Sequence, residues 1–335
     1  MLLGIDTFSL RWQGWDAFQM LDYAASQGLQ NIHFSERANL VSHETSYLES
    51  LKVRADELNL RIEIGMRSFN QFSTTFDATL GSGEQQLADM IAVARILGSP
   101  VVRCFVGMQA DRGSAVPVAQ LIDESIRTLR AAAPFAEDAG IAIAVENHGG
   151  VDLLAHELRS IIEEVDSTGV GACLDTGNPL YGGEDAVLAT EILAPYVVTA
   201  HVRDTRVWAT ETGCAVQWAP AGQGDVDLPR IVAILQDHAP DIALDLEIIT
   251  GVGPKAINYL IPDDPFWQFY PEMKARDFAR FLALTTTGTT GPLDQLQLTD
   301  GVWTPHASEL EAFQTQQRHH LEESIIYSRD VLGLG

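Results

Sequence analysis

Short apolar runs alternate with amphipathic segments eight times between residues 2 and 248, and this alternation restricts the fold more than any other feature. A short apolar run bounded by turn residues is typical of a strand that is buried on both faces. The predicted strands are Leu2–Phe8, Asn31–Phe34, Arg61–Gly65, Val101–Val106, Ile141–Glu146, Gly171–Leu174, Val197–Val202 and Ile242–Ile248.

Each of the first seven strands is followed by a segment with apolar residues at helical spacing. The predicted helices lie at about 15–27, 44–58, 85–97, 118–139, 154–165, 184–193 and 228–237. Glycine follows the first, third and fourth of them directly, as a left-handed cap requires. Strand and helix in unbroken alternation predict an α/β fold, a (β/α)8 TIM barrel. A doubly wound open sheet would alternate in the same way, but no Gly-x-Gly-x-x-Gly follows the first strand.

Two segments exceed a minimal barrel. Residues 206–227, rich in Trp, Thr and Gly, form a long seventh βα loop, and loops of this length usually serve as lids or binding loops. We expect residues 1–261 to form the barrel domain. Residues 262–335 are predicted to be a C-terminal helical extension, with helices near 273–284 and 308–332, that packs on the barrel and is not a separate domain. A homo-oligomer formed through this extension is compatible with the sequence.

The charge of the chain excludes some partners. It contains 46 acidic and 21 basic residues, for a net charge of −25, which repels phosphate backbones and anionic lipid headgroups. No run of about 18 apolar residues and no signal-peptide pattern is present, so no membrane partner is expected and the predicted location is cytoplasmic. The three cysteines are too widely spaced for a zinc or redox motif, and we expect reduced thiols.

Ionisable residues stand at the ends of four consecutive predicted strands, where TIM barrels build their active sites. They are Glu146, Asp175, His201 and Glu247. Each one alone could be an ordinary helix cap. Together, three carboxylates and one imidazole predict a single divalent metal ion, Mn²⁺, Mg²⁺ or Co²⁺, with Zn²⁺ as a further candidate. Strand alternation places His148 on the face of Glu146 and Arg203 on the face of His201.

The order and spacing of five motifs resemble the xylose isomerase-like TIM barrel superfamily, and within it the sugar phosphate isomerase/epimerase branch. The motifs are Glu146-Asn147-His148, Asp175-Thr176-Gly177-Asn178, His201-Val202-Arg203-Asp204, Gly222-Gln223-Gly224-Asp225-Val226-Asp227 and Leu246-Glu247. The resemblance implies that Glu146, Asp175, His201 and Glu247 hold one metal ion. It also implies that Glu146 and Glu247 are the catalytic acid and base, exchanging an α-proton through a metal-stabilised ene-diolate.

One position departs from this pattern. Many such epimerases have a histidine three residues after the sixth-strand aspartate, where this chain has Asn178. An amide forms hydrogen bonds but is neither an acid nor a base at neutral pH. His148 is the alternative imidazole, either in the reaction or as a neighbour that orients the metal ligands.

Several further residues are predicted to bind a small-molecule substrate, a sugar or sugar acid. Arg103, Arg203 and Lys255 could hold a carboxylate or phosphate, although pairing with the metal-site carboxylates is equally expected. His148, Asn178, His33 and Trp218 are predicted to line the pocket.

The leading functional prediction is a metal-dependent isomerase or epimerase acting on a sugar, sugar acid or sugar phosphate. A lyase is the main alternative, either a 3-oxo sugar acid decarboxylase or a hydroxy-acid dehydratase, because the same enolate chemistry would serve it. A non-catalytic sugar-binding barrel and an apurinic-site endonuclease share the scaffold. The acidic net charge argues against the endonuclease.

Overall fold

Eight parallel strands close into a barrel in the computed structural model, which describes residues 1–289 and 291–335. The strands of the described residues are β1 (Leu2–Asp6), β2 (Asn31–Phe34), β3 (Arg61–Ser68), β4 (Val101–Phe105), β5 (Ala142–Glu146), β6 (Val170–Asp175), β7 (Val197–Val202), β8 (Asp204–Thr210), β9 (Gly213–Ala219), β10 (Ala243–Leu246) and β11 (Lys255–Ile257). The barrel follows chain order from β1 to β7, and β10 closes it by pairing with both β7 and β1. The predicted TIM barrel is confirmed.

Helices cover the outside of the barrel and continue after it. The α-helices are α1 (Ala17–Ser26), α2 (Thr45–Glu57), α3 (Gly83–Leu97), α4 (Val118–Ala139), α5 (Ala155–Val165), α6 (Ala186–Leu193), α7 (Leu228–His238), α8 (Pro265–Phe269), α9 (Ala275–Thr287) and α10 (Leu310–Asp330). Among residues 1–289 and 291–335, no helix combines the length and the hydropathy that a bilayer span requires.

The barrel closes where β1 meets β10, and Gly4 makes this contact close. Gly4 pairs with Asp245, and a Cβ atom at position 4 would lie only 1.9 Å from Asp245 Oδ1 and 2.8 Å from the carbonyl oxygen of Asn31. Glycine at position 4 therefore allows a carboxylate to occupy the barrel interior beside β1.

The long seventh βα loop is mostly a β-hairpin. β8 and β9 pair in antiparallel fashion through Thr210 and Gly213, and β11 adds a third strand to this small sheet. The sequence prediction of an irregular loop missed this sheet. Val207 of β8 and Val216 of β9 are buried, so the hairpin has an apolar face of its own.

The C-terminal extension packs against the segment that follows β1. The Trp12 ring makes an edge contact with Phe313 at 5.3 Å, and Gln317 Oε1 accepts hydrogen bonds from Trp12 N at 3.3 Å and Gln13 Nε2 at 2.9 Å. Leu321 in α10 joins the same apolar cluster as the barrel strands. We therefore propose that residues 262–335 belong to the domain that the barrel forms.

Candidate metal centre

Glu146, Asp175, His201 and Glu247 meet at the carboxyl ends of β5, β6, β7 and β10. Their ligand atoms all lie within 4.8 Å of one another, and all four side chains are buried. His201 Nδ1 lies 3.4 Å from Glu146 Oε2 and 3.2 Å from Glu247 Oε2. The structure thus brings together the four residues that the strand ends predicted.

Strand register and backbone hydrogen bonds keep these side chains at the same level of the barrel. Asp175 pairs directly with His201, and the amide nitrogen of Glu247 donates to the carbonyl of Val202 at 3.0 Å. The Asn147 side chain joins the ends of β5 and β6. Its Oδ1 accepts from Asp175 N at 2.9 Å, and its Nδ2 donates to Asp175 O at 3.0 Å. Asn147 therefore fixes the end of β5 relative to the end of β6.

The rear of the His201 ring contacts a second buried polar group. Its Nε2 lies 3.1 Å from His33 Nδ1 and 3.4 Å from Asp6 Oδ2, which leaves Nδ1 facing the two glutamates. His33 is fully buried in the barrel interior and is not among the residues that line the substrate-sized cavity. The sequence predicts His33 as a pocket residue, whereas the structure places it behind His201.

Two arginines lie among the carboxylates. Arg103 contacts Glu146 through its Nε atom. Arg203 donates from Nε to Asp175 Oδ2 at 2.7 Å and also contacts Glu247 through Nη2. Both arginine side chains are almost completely buried. The structure therefore pairs these arginines with the metal-site carboxylates, which is the alternative that the sequence left open.

These contacts keep both glutamates ionised. Burial favours the neutral acid, but the charges of Arg103 and His201 hold the pKa of Glu146 well below its usual range. Burial acts in the same way on Glu247, and attraction to Arg203 and His201 lowers its pKa to about 2. For His201, burial lowers the pKa, yet the two neighbouring glutamates raise it well above 6.5. Two carboxylates and a proton-binding imidazole thus share one buried site.

A cavity of about 270 Å³ reaches the group of four residues at Glu247. Of the predicted pocket residues, Arg103, His148, Asn178, Arg203 and Trp218 line it, together with Glu247. The His148 ring stacks on Phe105 with centroids 3.6 Å apart, and its Nδ1 lies 3.1 Å from the carbonyl of Gly107.

The neutral side chains of this wall contribute two polar atoms without a hydrogen-bond partner. They are Asn178 Oδ1 and Trp218 Nε1, both buried. The Asn178 Nδ2 atom donates to Asn147 O at 2.9 Å, which fixes the amide and leaves its oxygen free. An acceptor and a donor without partners beside a cavity suit the hydroxyl groups of a sugar.

Lys255 is not part of this cavity. It lies on β11, where its ammonium contacts Gln109 Oε1 and stands 5.9 Å from the Tyr181 ring. The structure thus separates Lys255 from the other predicted cations.

Arg11, Arg67 and Trp303 are among the residues of the cavity wall that escaped the sequence reasoning. Arg67 is the one of the three that a longer third strand would have indicated. The strand β3 continues to Ser68 and does not end at the predicted Gly65, which brings Arg67 to the rim. Arg11 follows directly on the turn after β1. Trp303 comes from the C-terminal extension, and no local pattern marks it.

The Gly222-to-Asp227 motif is structural in this fold. The Asp204 carboxylate accepts hydrogen bonds from the backbone nitrogens of Gly222 at 3.0 Å, Gly224 at 2.9 Å and Val226 at 3.0 Å. A Cβ atom at Gly224 would lie 2.2 Å from Asp204 Oδ1. The motif therefore wraps around a carboxylate at the base of the hairpin, next to Arg203.

The residues of the centre fit a divalent cation. Glu146 Oε1 and His201 Nδ1 are buried atoms without a hydrogen-bond partner, and both belong to the four-residue group. Carboxylate oxygens with one imidazole nitrogen are donors that Mn²⁺, Mg²⁺, Co²⁺ and Zn²⁺ accept in proteins.

The family follows from a match over most of the chain. The family model described as xylose isomerase-like TIM barrel matches residues 10–262. The chain belongs to this family. The resemblance that the motifs indicated is thereby confirmed.

Two curated relatives have assigned activities. A 3-oxo-isoapionate decarboxylase from Pectobacterium atrosepticum is 23% identical over 211 residues, 61% of this chain and 69% of the relative. A 2-epi-5-epi-valiolone 7-phosphate 2-epimerase from an Actinoplanes species is 33% identical over 162 residues, 48% of this chain and 55% of the relative. The chain thus spans about half the length of the epimerase.

Solved structures share the fold over nearly the whole chain. D-psicose 3-epimerase, solved in the presence of D-fructose, superposes with a TM-score of 0.61 at 16% identity. The alignment covers 99% of this chain and 100% of the epimerase chain. The IOLI protein, solved with a zinc atom, has a TM-score of 0.57 at 15% identity and covers 86% of this chain and 97% of its own. At these identities the likeness concerns the fold.

Proposed function

We propose that the protein is a metal-dependent isomerase or epimerase of a ketose or a related sugar acid. The observation that carries the proposal is the position of Glu146 and Glu247. They approach the same imidazole nitrogen from two different strands, the surrounding charges hold both ionised, and a cavity is lined by Glu247 and by Arg103, the partner of Glu146. Moving a proton off a carbon atom and back requires two such groups. The Actinoplanes epimerase and the fold of D-psicose 3-epimerase support this assignment.

In this proposal Glu146, Asp175, His201 and Glu247 hold one divalent cation. When bound, the cation would polarise a carbonyl and the adjacent hydroxyl of the substrate, which acidifies the α-carbon between them. The zinc atom in the IOLI structure supports a metal on this scaffold.

The side chains of the protein divide the remaining work. One of the two glutamates, as a carboxylate, takes the α-proton, and the acid so formed returns it to the neighbouring position; for delivery to the opposite face, the other glutamate first takes up a proton from solvent water. Asn178 Oδ1 accepts from a substrate hydroxyl and Trp218 Nε1 donates to one. Arg203 balances the charge of Asp175 and Glu247. The apolar rings of Phe105 and Trp218 help to exclude water from the reacting carbon.

Proton exchange tests this function directly. The Mn²⁺-loaded protein is incubated in D₂O with a panel of ketoses and sugar acids, and deuterium at the α-carbon is followed by NMR. We expect labelling of at least one substrate, and Glu146→Gln and Glu247→Gln should each reduce it at least about 100-fold. Glu184→Gln is the matched control, because Glu184 is a buried carboxyl group bonded to the Ala155 backbone and outside the cavity. Absence of exchange over the whole panel would refute the proposal.

A lyase is the second candidate, and the Pectobacterium relative favours it. That relative is named as a decarboxylase of a 3-oxo acid. Asn178 also favours it, because an amide at this position offers no proton to an epimerase reaction. Release of carbon dioxide or water from a sugar acid, without isotope exchange into recovered substrate, would support the lyase over the epimerase.

A further inference from the structure

Arg11 is a largely buried cation without a carboxylate partner. Its Nη1 donates to Phe8 O at 3.2 Å and its Nη2 to Thr250 O at 2.8 Å, while the buried Nε has no acceptor. The guanidinium lies 4.1 Å from the Trp12 ring centroid. A buried charge normally has a partner of opposite sign, because desolvation is otherwise uncompensated. The carbonyls and rings fix the position of Arg11, but its charge stays available towards the cavity.

Arg67 adds a second unpaired cation to the same wall. It lies near the end of β3, and its side chain is exposed at the cavity rim. Among the described residues, no carboxylate lies within 4.0 Å of the guanidinium of Arg11 or Arg67, although Glu36 also lines the cavity. Two arginines without a salt bridge in one cavity wall are unexpected in a chain with a net charge of −25.

The other two arginines of the cavity each have a salt bridge. Arg103 is neutralised by Glu146, and Arg203 by Asp175 and Glu247. The unpaired charge is therefore confined to the part of the wall that Arg11 and Arg67 form. Burial lowers the pKa of Arg11 only to about 9, so it is cationic at neutral pH.

The geometry points to a subsite in which Arg11 and Arg67 bind an anionic group of the substrate, a carboxylate or a phosphate. Guanidinium groups bind both in bidentate fashion. Glu247 lines the same cavity as Arg11, so a sugar held at the metal centre can extend its anionic end to Arg11. Phe8 and Trp303, whose rings are 6.1 Å apart, form an apolar border beside it. This inference rests on the proposed function and narrows its substrate class to acidic sugars.

The test compares acidic and neutral ligands that share one sugar skeleton. Binding of D-fructuronate, D-fructose 6-phosphate and D-fructose to the Mn²⁺-loaded protein is measured by calorimetry. We expect one of the acidic ligands to bind at least about tenfold more tightly than D-fructose, and the better one identifies the carboxylate or the phosphate. Arg11→Gln should weaken binding of that acid by about 10- to 100-fold and leave D-fructose within about twofold.

Two further variants make the result decisive. Arg67→Gln, at an exposed position, should weaken binding of the acid by about 3- to 10-fold. Arg230→Gln removes the same charge from an exposed position on helix α7 and should leave the affinities for the acidic and the neutral ligands unchanged. Equal affinity for acidic and neutral ligands, or an unchanged affinity in Arg11→Gln, would overturn the subsite. If Arg11→Gln does not fold, an unchanged preference for the acid in Arg67→Gln would overturn it.

Failure of the subsite can be told apart from failure of the proposed function. Calorimetry requires no turnover, so a preference for acids that depends on Arg11 would stand even without α-proton exchange. Conversely, exchange on neutral ketoses without any preference for acids would refute the subsite alone.

Discussion

Replacing Glu146 with Gln should destabilise the protein much more than replacing Glu247 with Gln, although both changes preserve shape. Arg103 is 2% exposed, and Glu146 is its carboxylate partner. Its remaining acceptors are the carbonyls of Ser35 at 3.5 Å and Met66 at 3.4 Å, both long for a hydrogen bond. Leaving a buried cation without its counter-ion costs about 3–5 kcal/mol, and the retained amide oxygen places Glu146→Gln near 3 kcal/mol.

The Glu247 variant retains a neighbouring carboxylate. Arg203 still donates to Asp175 Oδ2 at 2.7 Å, so its charge remains paired. We expect Glu247→Gln to lower the free energy of unfolding by only about 1 kcal/mol. Adding Arg103→Met to Glu146→Gln removes the stranded charge and should restore most of the loss, because apolar replacements of buried ion pairs are often neutral.

Urea unfolding in the presence of chelator, at pH 7, measures these differences without a contribution from metal binding. Proton exchange should be lost in Glu146→Gln, in Glu247→Gln and in the double variant, which separates the stability effect from the chemistry. Equal destabilisation in the two single variants would refute the reasoning, as would a double variant no more stable than Glu146→Gln.

Three further predictions concern metal, pH and packing. Mn²⁺ at about 100 times its dissociation constant should raise the free energy of unfolding by about 2.7 kcal/mol, and Asp175→Asn should abolish this shift in a thermal melt. Burial lowers the pKa of His320 from 6.5 to about 4, so between these pH values only the unfolded chain binds a proton at this residue. The free energy of unfolding should therefore fall by about 3 kcal/mol as the pH drops through this range. Urea titrations should show a smaller loss for His320→Asn. Gly4→Ala should cost about 3 kcal/mol, because its Cβ meets Asp245 at 1.9 Å.

Each of these predictions has its own control. Retention of the Mn²⁺ shift in Asp175→Asn would exclude that residue from the metal site. An unchanged pH slope in His320→Asn would assign the acid sensitivity to carboxyl groups whose pKa the fold lowers, such as Glu146 and Glu247. Gly253→Ala is the packing control, because its Cβ would meet only the ends of two side chains, Gln297 Oε1 at 3.3 Å and Asp300 Oδ1 at 3.9 Å. A similar loss in Gly253→Ala would contradict the steric argument for Gly4.

The barrel and the grouping of Glu146, Asp175, His201 and Glu247 could be predicted because both depend on periodic features of the sequence. Buried parallel strands appear as apolar runs, and their carboxyl ends meet at one rim. The predicted second and seventh strands, Asn31–Phe34 and Val197–Val202, coincide with β2 and β7, and the other strands differ by up to three residues at their ends. Glu247 lies one residue past β10, yet the backbone bond to Val202 keeps it at the level of His201.

The residues that the sequence did not reveal depend on long-range packing. Trp303 reaches the cavity because its carbonyl accepts the indole hydrogen of Trp12 at 3.0 Å, a contact across 291 positions of the chain. The β8–β9 hairpin forms over buried neighbours such as Val207, which a reading of Trp, Thr and Gly as loop residues overlooks. The sequence predicted His33 as a pocket residue, but a position near a strand end does not tell whether the side chain faces the cavity or the barrel interior.

The closure of the barrel between β1 and β10 has a consequence during synthesis. The pairing partners Leu2–Ile5 and Ala243–Leu246 are separated by about 240 residues of chain. At about 5–20 residues per second, the ribosome needs roughly 12–50 seconds to supply the second strand after the first has emerged. During that time the nascent chain carries an unpaired apolar sheet edge, which is prone to association with other chains. We expect the net charge of −25 to oppose such association until translation reaches β10.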